Sequence, residues 1–411
     1  MHTHLTQLLA LLLLAPLAGC ADEGAALEPV DTTACRVVAI NSDYVSSSVS
    51  LLTSEGELCA DSVLHSGSAP PGLVTALSGD VVPGRAPHPE GLITLIDRYP
   101  NAVLTLLDPA TQAVTAQLSV ATGFASNPQD VVHLSADRAW VSRAETNPTP
   151  GAEPFDEGGD LLLVDIAAGR IHDRIDLDPF APVVSGQRTL PRPGPMALAQ
   201  GLLWVSLLNL SGDFMEGGEA VVLGVDPESG RVLEEVRLPG VKNCAGLAAD
   251  PDGDGLWLTC SGVFAEGARA QLDHSGVVWI ALSAGQPGEV EQITAASLAG
   301  RPVGFSVAPV GAGVAFVVVV SDVEGRQPDE LWRVERGAGG ARVALSDASE
   351  GYQLGSPLLT DAGVLLVPDA TATAPVVLRF DLTDPASPTP LPTVDANPGL
   401  RLPTRLLARF R

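Results

Sequence analysis

Residues 201–206 read GLLWVS, and residues 221–232 read VVLGVDPESGRV. The second stretch is an apolar run of strand length that ends at Asp226, and Pro227 and Gly230 then supply the backbone angles that a turn needs. The same pattern recurs along the chain, with its last residue at positions 53, 108, 165, 226, 282, 335 and 381. A strand that returns every 46 to 61 residues indicates a repeat protein of seven units.

A second apolar strand precedes each copy after the first. These strands cover residues 91–97, 138–143, 201–207, 255–259, 313–322 and 363–369. The tryptophans keep this register, because Trp140, Trp204 and Trp257 fall in the preceding strand while Trp279 and Trp332 fall in the recurring one. Further upstream, Pro/Gly-rich stretches such as 192–198 (RPGPMAL) introduce another strand. Each unit is therefore predicted to contain four short antiparallel strands, here called a, b, c and d, as in a β-propeller blade.

The two ends of the chain are predicted to complete one blade together. The first unit starts directly at its strand b, residues 36–41, and the chain finishes with an unassigned strand-like segment, residues 402–410. This last segment can supply the missing strand a and so remove two open sheet edges. The prediction is an all-β, seven-bladed propeller whose first blade is closed by the C-terminal strand. A β-sandwich array would not show a four-strand period, and a β-helix would have shorter rungs.

In units such as 201–206 and 224–232, the chain resembles the YVTN-type β-propeller repeat proteins over about residues 35–411. The family tetrapeptide itself is replaced by Trp-Val-Ser or Trp-Leu-Thr. The resemblance implies a scaffold more than a chemistry, because propellers include both enzymes and binding modules.

The N-terminal region indicates export and a lipid anchor. An apolar run at 8–17 has the length of a secretory core, and Leu17-Ala18-Gly19-Cys20 resembles the lipobox of bacterial lipoproteins. The resemblance implies that residues 1–19 are a signal peptide, that Cys20 is acylated, and that 20–34 form a flexible tether. Because Ala21 follows the cysteine, it also implies the outer membrane of a Gram-negative cell envelope. Plain secretory cleavage, with Cys20 an ordinary thiol, is the alternative.

The remaining cysteines are Cys35, Cys59, Cys244 and Cys260, an even number that suits an oxidising compartment. Proximity in sequence favours Cys35 with Cys59 and Cys244 with Cys260. A zinc site is the competing interpretation, but the spacings lack a CxxC knuckle.

Charge narrows the choice of partners. The chain has 49 acidic residues against 23 lysines and arginines, for a net charge of −26. A nucleic-acid backbone would be repelled, so no nucleic-acid partner is expected. Membrane contact is expected only through the lipid.

Candidate ligand-binding residues lie in the long b–c loops, residues 144–159, 208–218, 261–276 and 323–329, and at strand ends near the channel. They are Gln129, Arg143, Arg192, Asn209, Asn243, Arg301 and Asp322. The three arginines could hold a carboxylate or phosphate, because the guanidinium group binds such anions through two hydrogen bonds. Alternatively, each arginine pairs with a neighbouring Asp or Glu.

A candidate metal site lies at 250–255, DPDGDG, where Asp250, Asp252 and Asp254 alternate as in the first half of an EF-hand-like loop. Ca²⁺ is the cofactor that such carboxylates suggest. The second half of the motif is missing, because Leu258 and Ser261 stand where acids are needed. A solvated turn between strands a and b is the alternative.

The sequence favours a binding module over an enzyme. Neither a Gly-x-Ser-x-Gly elbow nor a Walker A motif is present. We therefore expect a non-catalytic propeller that binds a protein, glycan or small ligand on its loop-rich face. The alternative is a divalent-metal lactonase-like or lyase-like enzyme, since residues 243–248 (NCAGLA) are similar to the metal-site strand of gluconolactonase-related propellers; it would use Asn243, Asp252 and Asp254.

Overall fold

A computed structural model describes residues 31–322, 325–345, 350–371 and 374–411. The predicted signal peptide, and Cys20 with it, lies outside these residues. The described chain forms seven four-stranded antiparallel sheets, and the predicted seven-bladed propeller is confirmed.

Each of the first three blades has its strands hydrogen-bonded side by side. The strands are β1 (Cys35–Ser42), β2 (Ser47–Thr53) and β3 (Leu58–His65) in blade 1; β4 (Val81–Pro83), β5 (Ile93–Asp97), β6 (Val103–Leu107) and β7 (Val114–Ser119) in blade 2; and β8 (Pro128–His133), β9 (Ala139–Thr146), β10 (Gly158–Asp165) and β11 (Arg170–Asp176) in blade 3. A two-stranded hairpin, β12 (Val183–Val184) and β13 (Gln187–Arg188), is inserted before blade 4. The sequence did not predict this hairpin.

The other blades repeat the arrangement. They contain β14 (Pro193–Ala199), β15 (Leu202–Leu207), β16 (Ala220–Val225) and β17 (Val232–Leu238) in blade 4; β18 (Gly246–Ala249), β19 (Gly255–Ser261), β20 (Ser275–Ser283) and β21 (Gln286–Thr294) in blade 5; β22 (Val303–Gly311), β23 (Val314–Val319), β24 (Glu330–Glu335) and β25 (Gly339–Arg342) in blade 6; and β26 (Leu358–Leu359), β27 (Val364–Asp369), β28 (Val376–Asp381) and β29 (Thr389–Val394) in blade 7. Within the described residues, the helical segments are α1 (Ala268–Asp273) and three 3₁₀ turns, Asp178–Phe180, Phe264–Glu266 and Ala295–Ser297.

The final strand, β30 (Thr404–Arg409), closes blade 1 as predicted. It pairs antiparallel with β1, from Val37 opposite Arg409 to Asn41 opposite Thr404. The two ends of the described chain are thus held in one sheet, and the inner edge of β1 is paired.

The core explains why strands b and c are almost continuously apolar. Both faces of each sheet pack against neighbouring blades, so strands such as β16 are buried at every residue, whereas the outer strand β17 alternates between buried and exposed residues. The described residues contain seven apolar clusters, one at each interface between adjacent blades. All five tryptophans occupy the strands predicted for them.

Both predicted disulfides are present, Cys35–Cys59 in blade 1 and Cys244–Cys260 in blade 5. The first joins strand b to strand d of its sheet. The second ties the start of blade 5 to its strand b.

Candidate functional site

The propeller has two different faces. The b–c loops and the d–a connections between blades emerge on one side, here called the top face, and the short a–b and c–d turns emerge on the other, the bottom face. The long b–c loops predicted from the sequence therefore all lie on the top face.

One position repeats in all seven blades at the top of the channel, just before or near the start of strand a. Its carbonyl accepts a hydrogen bond of 2.9–3.2 Å from a backbone N–H near the end of strand b in the same blade. We call these positions the mouth ring: Pro403, Asp80, Asn127, Arg192, Asn243, Pro302 and Gln353, for blades 1 to 7. The ring includes two of the sequence-predicted residues, and Gln129 and Arg301 lie beside it. The others were missed because no shared residue type marks the position.

The polar side chains of the mouth ring have partners close by. Asp80 accepts from Arg98 Nε at 3.0 Å, and Gln353 Oε1 accepts from Arg405 Nη1 at 3.0 Å. Gln129, in turn, donates to Asn127 Oδ1 at 2.8 Å. The bond between Arg405 and Gln353 joins blade 1 to blade 7, whereas the other two bonds lie within one blade.

Arg143 is fully buried in blade 3 and is not part of the mouth ring. Its Nε and Nη2 donate to the two carboxylate oxygens of Asp160 at 2.8 and 2.7 Å. The other three contacts are to Val120 O, Thr122 Oγ1 and Phe155 O, at 3.0, 2.6 and 2.7 Å. All five guanidinium N–H groups thus have acceptors, and Arg143 has none left for a ligand.

The other two predicted arginines also pair with acids, but at the top face. Arg192 bonds to Glu145, which links blades 4 and 3, and its guanidinium carbon lies 3.8 Å from the centre of the Phe214 ring. Arg301 donates to Pro328 O at 2.8 Å and lies 3.2 Å from Glu330. All three arginines therefore pair with a neighbouring Asp or Glu, which was the alternative to anion binding in the sequence analysis.

The predicted asparagines shape the loops. Asn243 Nδ2 donates to Ser261 Oγ at 2.9 Å, and Asn209 Nδ2 donates to Glu219 O at 2.8 Å across the base of the blade 4 b–c loop. Both hold left-handed backbone angles, with φ of 53° and 51°, which asparagine tolerates better than most residues. Their contacts support the mouth and the loop base.

The structure brings Arg301 and Asp322 together. Both line a surface cleft of about 420 Å³ between blades 5 and 6, whose opposite wall is helix α1 with Arg269 and Asp273. The backbone carbonyl of Asp322 accepts the Tyr352 hydroxyl at 2.6 Å. The cleft is therefore continuous with the top-face loops.

The Asp-rich turn lies at the bottom face of blade 5. Asp250 Oδ2 accepts from Trp257 Nε1 at 2.7 Å, and Asp250 Oδ1 accepts the N–H of Asp252 at 3.0 Å. Asp254 lies 3.7 Å from Arg336. Asn243 is at the top of the same blade, so the residues of the lactonase-like alternative do not converge. In the described part of the chain, no three His, Cys, Asp or Glu side chains are grouped closely enough to hold a metal ion.

Exposed aromatic side chains concentrate on the top face. Six aromatic residues are 46–69% exposed: Tyr44, Tyr99, Phe214, Phe264, Phe305 and Tyr352. Five lie in top-face loops, and Phe305 lies near the top end of the innermost strand β22. They include all three tyrosines of the chain. Only 4% of the sequence is aromatic, so six exposed rings on one face stand out as a candidate recognition surface.

Three of these aromatics have strained backbones. Tyr44, Phe214 and Tyr352 have φ of 67°, 62° and 61°, in the left-handed region that bulky residues rarely adopt. Such strain costs about 1–3 kcal/mol and tends to persist where function requires the side chain. Contacts hold all three rings. The guanidinium carbons of Arg405 and Arg192 lie 5.1 Å and 3.8 Å from the centres of Tyr44 and Phe214, and the Tyr352 hydroxyl donates to Asp322 O at 2.6 Å.

The strain predicts that Tyr44→Asn raises the free energy of unfolding by about 1 kcal/mol, because asparagine accepts a positive φ at lower cost. Phe264→Asn is the matched control, since Phe264 is similarly exposed but begins a 3₁₀ turn. Urea titration followed by tryptophan fluorescence measures both. If Tyr44→Asn lowered the free energy of unfolding more than Phe264→Asn does, the tyrosine would be retained for stability.

Comparisons with known proteins identify the fold. Neither a protein-family profile nor a curated sequence matches the chain. Two crystal structures with provisional 6-phosphogluconolactonase names, from Bacteroides fragilis and Bacteroides uniformis, are each 11% identical with TM-scores of 0.56; they cover 93% and 92% of this chain and 99% of their own. A hypothetical selenium-binding protein from Sulfolobus tokodaii is 9% identical with a TM-score of 0.58, covering 92% of this chain and 93% of its own. The chain is a seven-bladed β-propeller. At these identities the likeness concerns the fold alone.

Proposed function

We propose that this propeller is a YVTN-type bacterial lipoprotein that binds a partner through its top face without catalysis. The observation that carries the proposal is the set of six exposed aromatic residues on that face, three of them held at a strained φ. Aromatic side chains contribute large contact areas at low conformational cost, which is why they dominate binding hot spots.

The contacts of the arginines direct the proposal to the aromatic side chains. Arg143, Arg192 and Arg301 are engaged with Asp160, Glu145 and Glu330. Contacts with Arg405, Arg192 and Asp329 hold Tyr44, Phe214 and Tyr352 in place, so less entropy is lost when a partner binds.

The proposal places the protein in the outer membrane, anchored through acylated Cys20 and the tether 20–34. The lipobox-like sequence and the disulfides, which suit an oxidising compartment, support this location. None of the helices in the described ranges has the length and apolar character needed to cross a bilayer.

Photo-crosslinking in the source cell tests the proposal. p-Benzoylphenylalanine replaces Tyr44, Phe264 or Tyr352 on the top face, and Leu233 or Val290 on the outer strands as exposed controls. We expect adducts of defined mass from the top positions only. The same cells, fed alkyne palmitate, should label the wild-type protein but not the Cys20→Ser variant.

Equal adducts from the control positions would contradict a top-face binding site. Palmitate label that persists in the Cys20→Ser variant would contradict the anchor. Divalent-ion-dependent hydrolysis of lactones by the purified protein would support the lactonase-like alternative instead.

A further inference from the structure

One part of the top face combines an apolar centre with an acidic edge. Phe214 and Met215 form the tip of the blade 4 b–c loop, and Phe264 lies in the b–c loop of blade 5; all three are at least half exposed. We call these three residues the Phe-Met patch. Asp213 and Glu216 flank Phe214 and Met215 directly in sequence, and both are exposed.

The two loops that carry the patch are locked together. The Gly217 N–H donates to Glu266 Oε1 at 3.2 Å, and Lys242 Nζ donates to both oxygens of Glu266 at 2.8 and 2.9 Å. The tip itself is closed by the Ser211 N–H, which donates to Glu216 O at 2.8 Å. The patch is therefore preformed, which lowers the entropy cost of binding.

The surrounding charge selects the kind of partner. Lys242 pairs with Glu266, Arg192 with Glu145 and the exposed Arg269 with Asp273 at 3.7 Å. Asp213, Glu216 and Glu219 add three exposed carboxylates at the edge of the patch, so acids outnumber cations there. Hydrogen bonds from the Ser211 hydroxyl and the Met215 N–H lower the pKa of Asp213, so it remains ionised at neutral pH. The free edge is thus anionic.

The combination fits a basic, apolar peptide segment better than other ligands. Methionine and phenylalanine adapt to apolar side chains, and arginine both pairs with carboxylates and stacks on aromatic rings. An anionic lipid surface would be repelled by the same carboxylates.

Resting on the proposed binding function, we propose that the Phe-Met patch receives a protein segment in which arginine or lysine flanks apolar residues. The apolar side chains cover Phe214, Met215 and Phe264, and the basic side chains pair with Asp213, Glu216 and Glu219.

Fluorescence anisotropy with two synthetic probes tests this inference on the mature domain with Cys20→Ser. One labelled peptide alternates arginine with leucine, and its match alternates glutamate with leucine. We expect saturable binding of the arginine peptide only, weakening as salt rises. Phe214→Ala combined with Phe264→Ala should weaken binding by about tenfold or more, as loss of hot-spot residues does.

Charge variants separate the patch from the overall acidity of the protein. Asp213→Asn combined with Glu216→Gln should weaken binding severalfold and reduce its salt dependence. Glu55→Gln combined with Asp137→Asn removes the same charge from exposed bottom-face turns and should leave binding unchanged. Equal weakening by both pairs, or equal binding of the glutamate peptide, would overturn the inference.

The two proposals fail separately. Top-face crosslinks at Tyr44 and Tyr352, without peptide binding at the patch, would leave the binding function intact and remove only the peptide assignment. The peptide assignment would also be overturned if a neutral glycan displaced the arginine peptide from Phe214 and Phe264 and if the binding of that glycan did not depend on salt.

Discussion

Replacement of Arg143 by methionine is expected to lower the free energy of unfolding by about 3–5 kcal/mol. Methionine fills a similar volume but leaves the buried Asp160 carboxylate with Arg174 as its remaining cationic partner, at 2.6 Å. It also removes the donors to Val120 O and Phe155 O. A buried charge that loses one of its two partners keeps the whole cost of desolvation with only part of the compensating attraction.

A partly exposed arginine in the same blade gives the control. Arg138 pairs with Glu228 at 2.9 Å at the bottom face, where solvent screens the charges, so Arg138→Met should cost less than about 1 kcal/mol. Urea titration followed by tryptophan fluorescence measures both variants. If Arg143→Met were as stable as Arg138→Met and lost binding instead, Arg143 would be a ligand-binding residue after all.

Acidification is expected to destabilise the protein through His133. This side chain is buried on β8, where its Nε2 is hydrogen-bonded to Thr94 Oγ1 at 2.8 Å and its ring centre lies 4.5 Å from that of His88. Burial, with a smaller contribution from His88, lowers the pKa of His133 to about 3. In the unfolded chain the ordinary value of about 6.5 returns.

The sign follows from the two pKa values. Between pH 6.5 and 3 the unfolded chain binds a proton that the folded chain does not, so the free energy of unfolding falls as pH falls through this window. The loss approaches about 4 kcal/mol near pH 3, at roughly 1.4 kcal/mol per pH unit once His133 is protonated in the unfolded chain.

A variant isolates this histidine from the many carboxyl groups. His133→Gln can keep a hydrogen bond to Thr94 and should flatten the pH dependence in this window, whereas the exposed His172→Gln should follow the wild type. Buried Asp130 acts in the opposite direction, because burial raises its pKa, and it is unchanged in both variants. Parallel pH profiles for both variants would show that His133 does not carry the effect.

The repeat could be predicted from the sequence because strands b and c bury both faces. Continuous apolar runs such as 221–225 and 314–319 follow from that burial, and the turns between them need Pro, Gly and Asp. The disulfide pairs were predictable too, because each joins cysteines of one blade. The C-terminal strand could be assigned because the first unit lacked a strand a.

The candidate site was predicted only in part. Long loops indicated the top face, but the candidates in them were chosen as polar and charged side chains. Arg143 has the same residue type as Arg192 and Arg301, yet it is buried one strand away from the mouth. The exposed aromatics were overlooked because, in sequence, an exposed phenylalanine looks the same as a buried one.

Local periodicity and turn chemistry repeat with every unit, so the number of blades, the strands within them and the closure of the first blade could be read from the sequence. Which polar side chains neutralise one another, and which aromatic rings face solvent, depends on the folded arrangement of the blades. Those properties depend on side chains from separate blades meeting across the top face. Tyr44, Arg405 and Gln353 come together there although hundreds of residues separate the first from the other two.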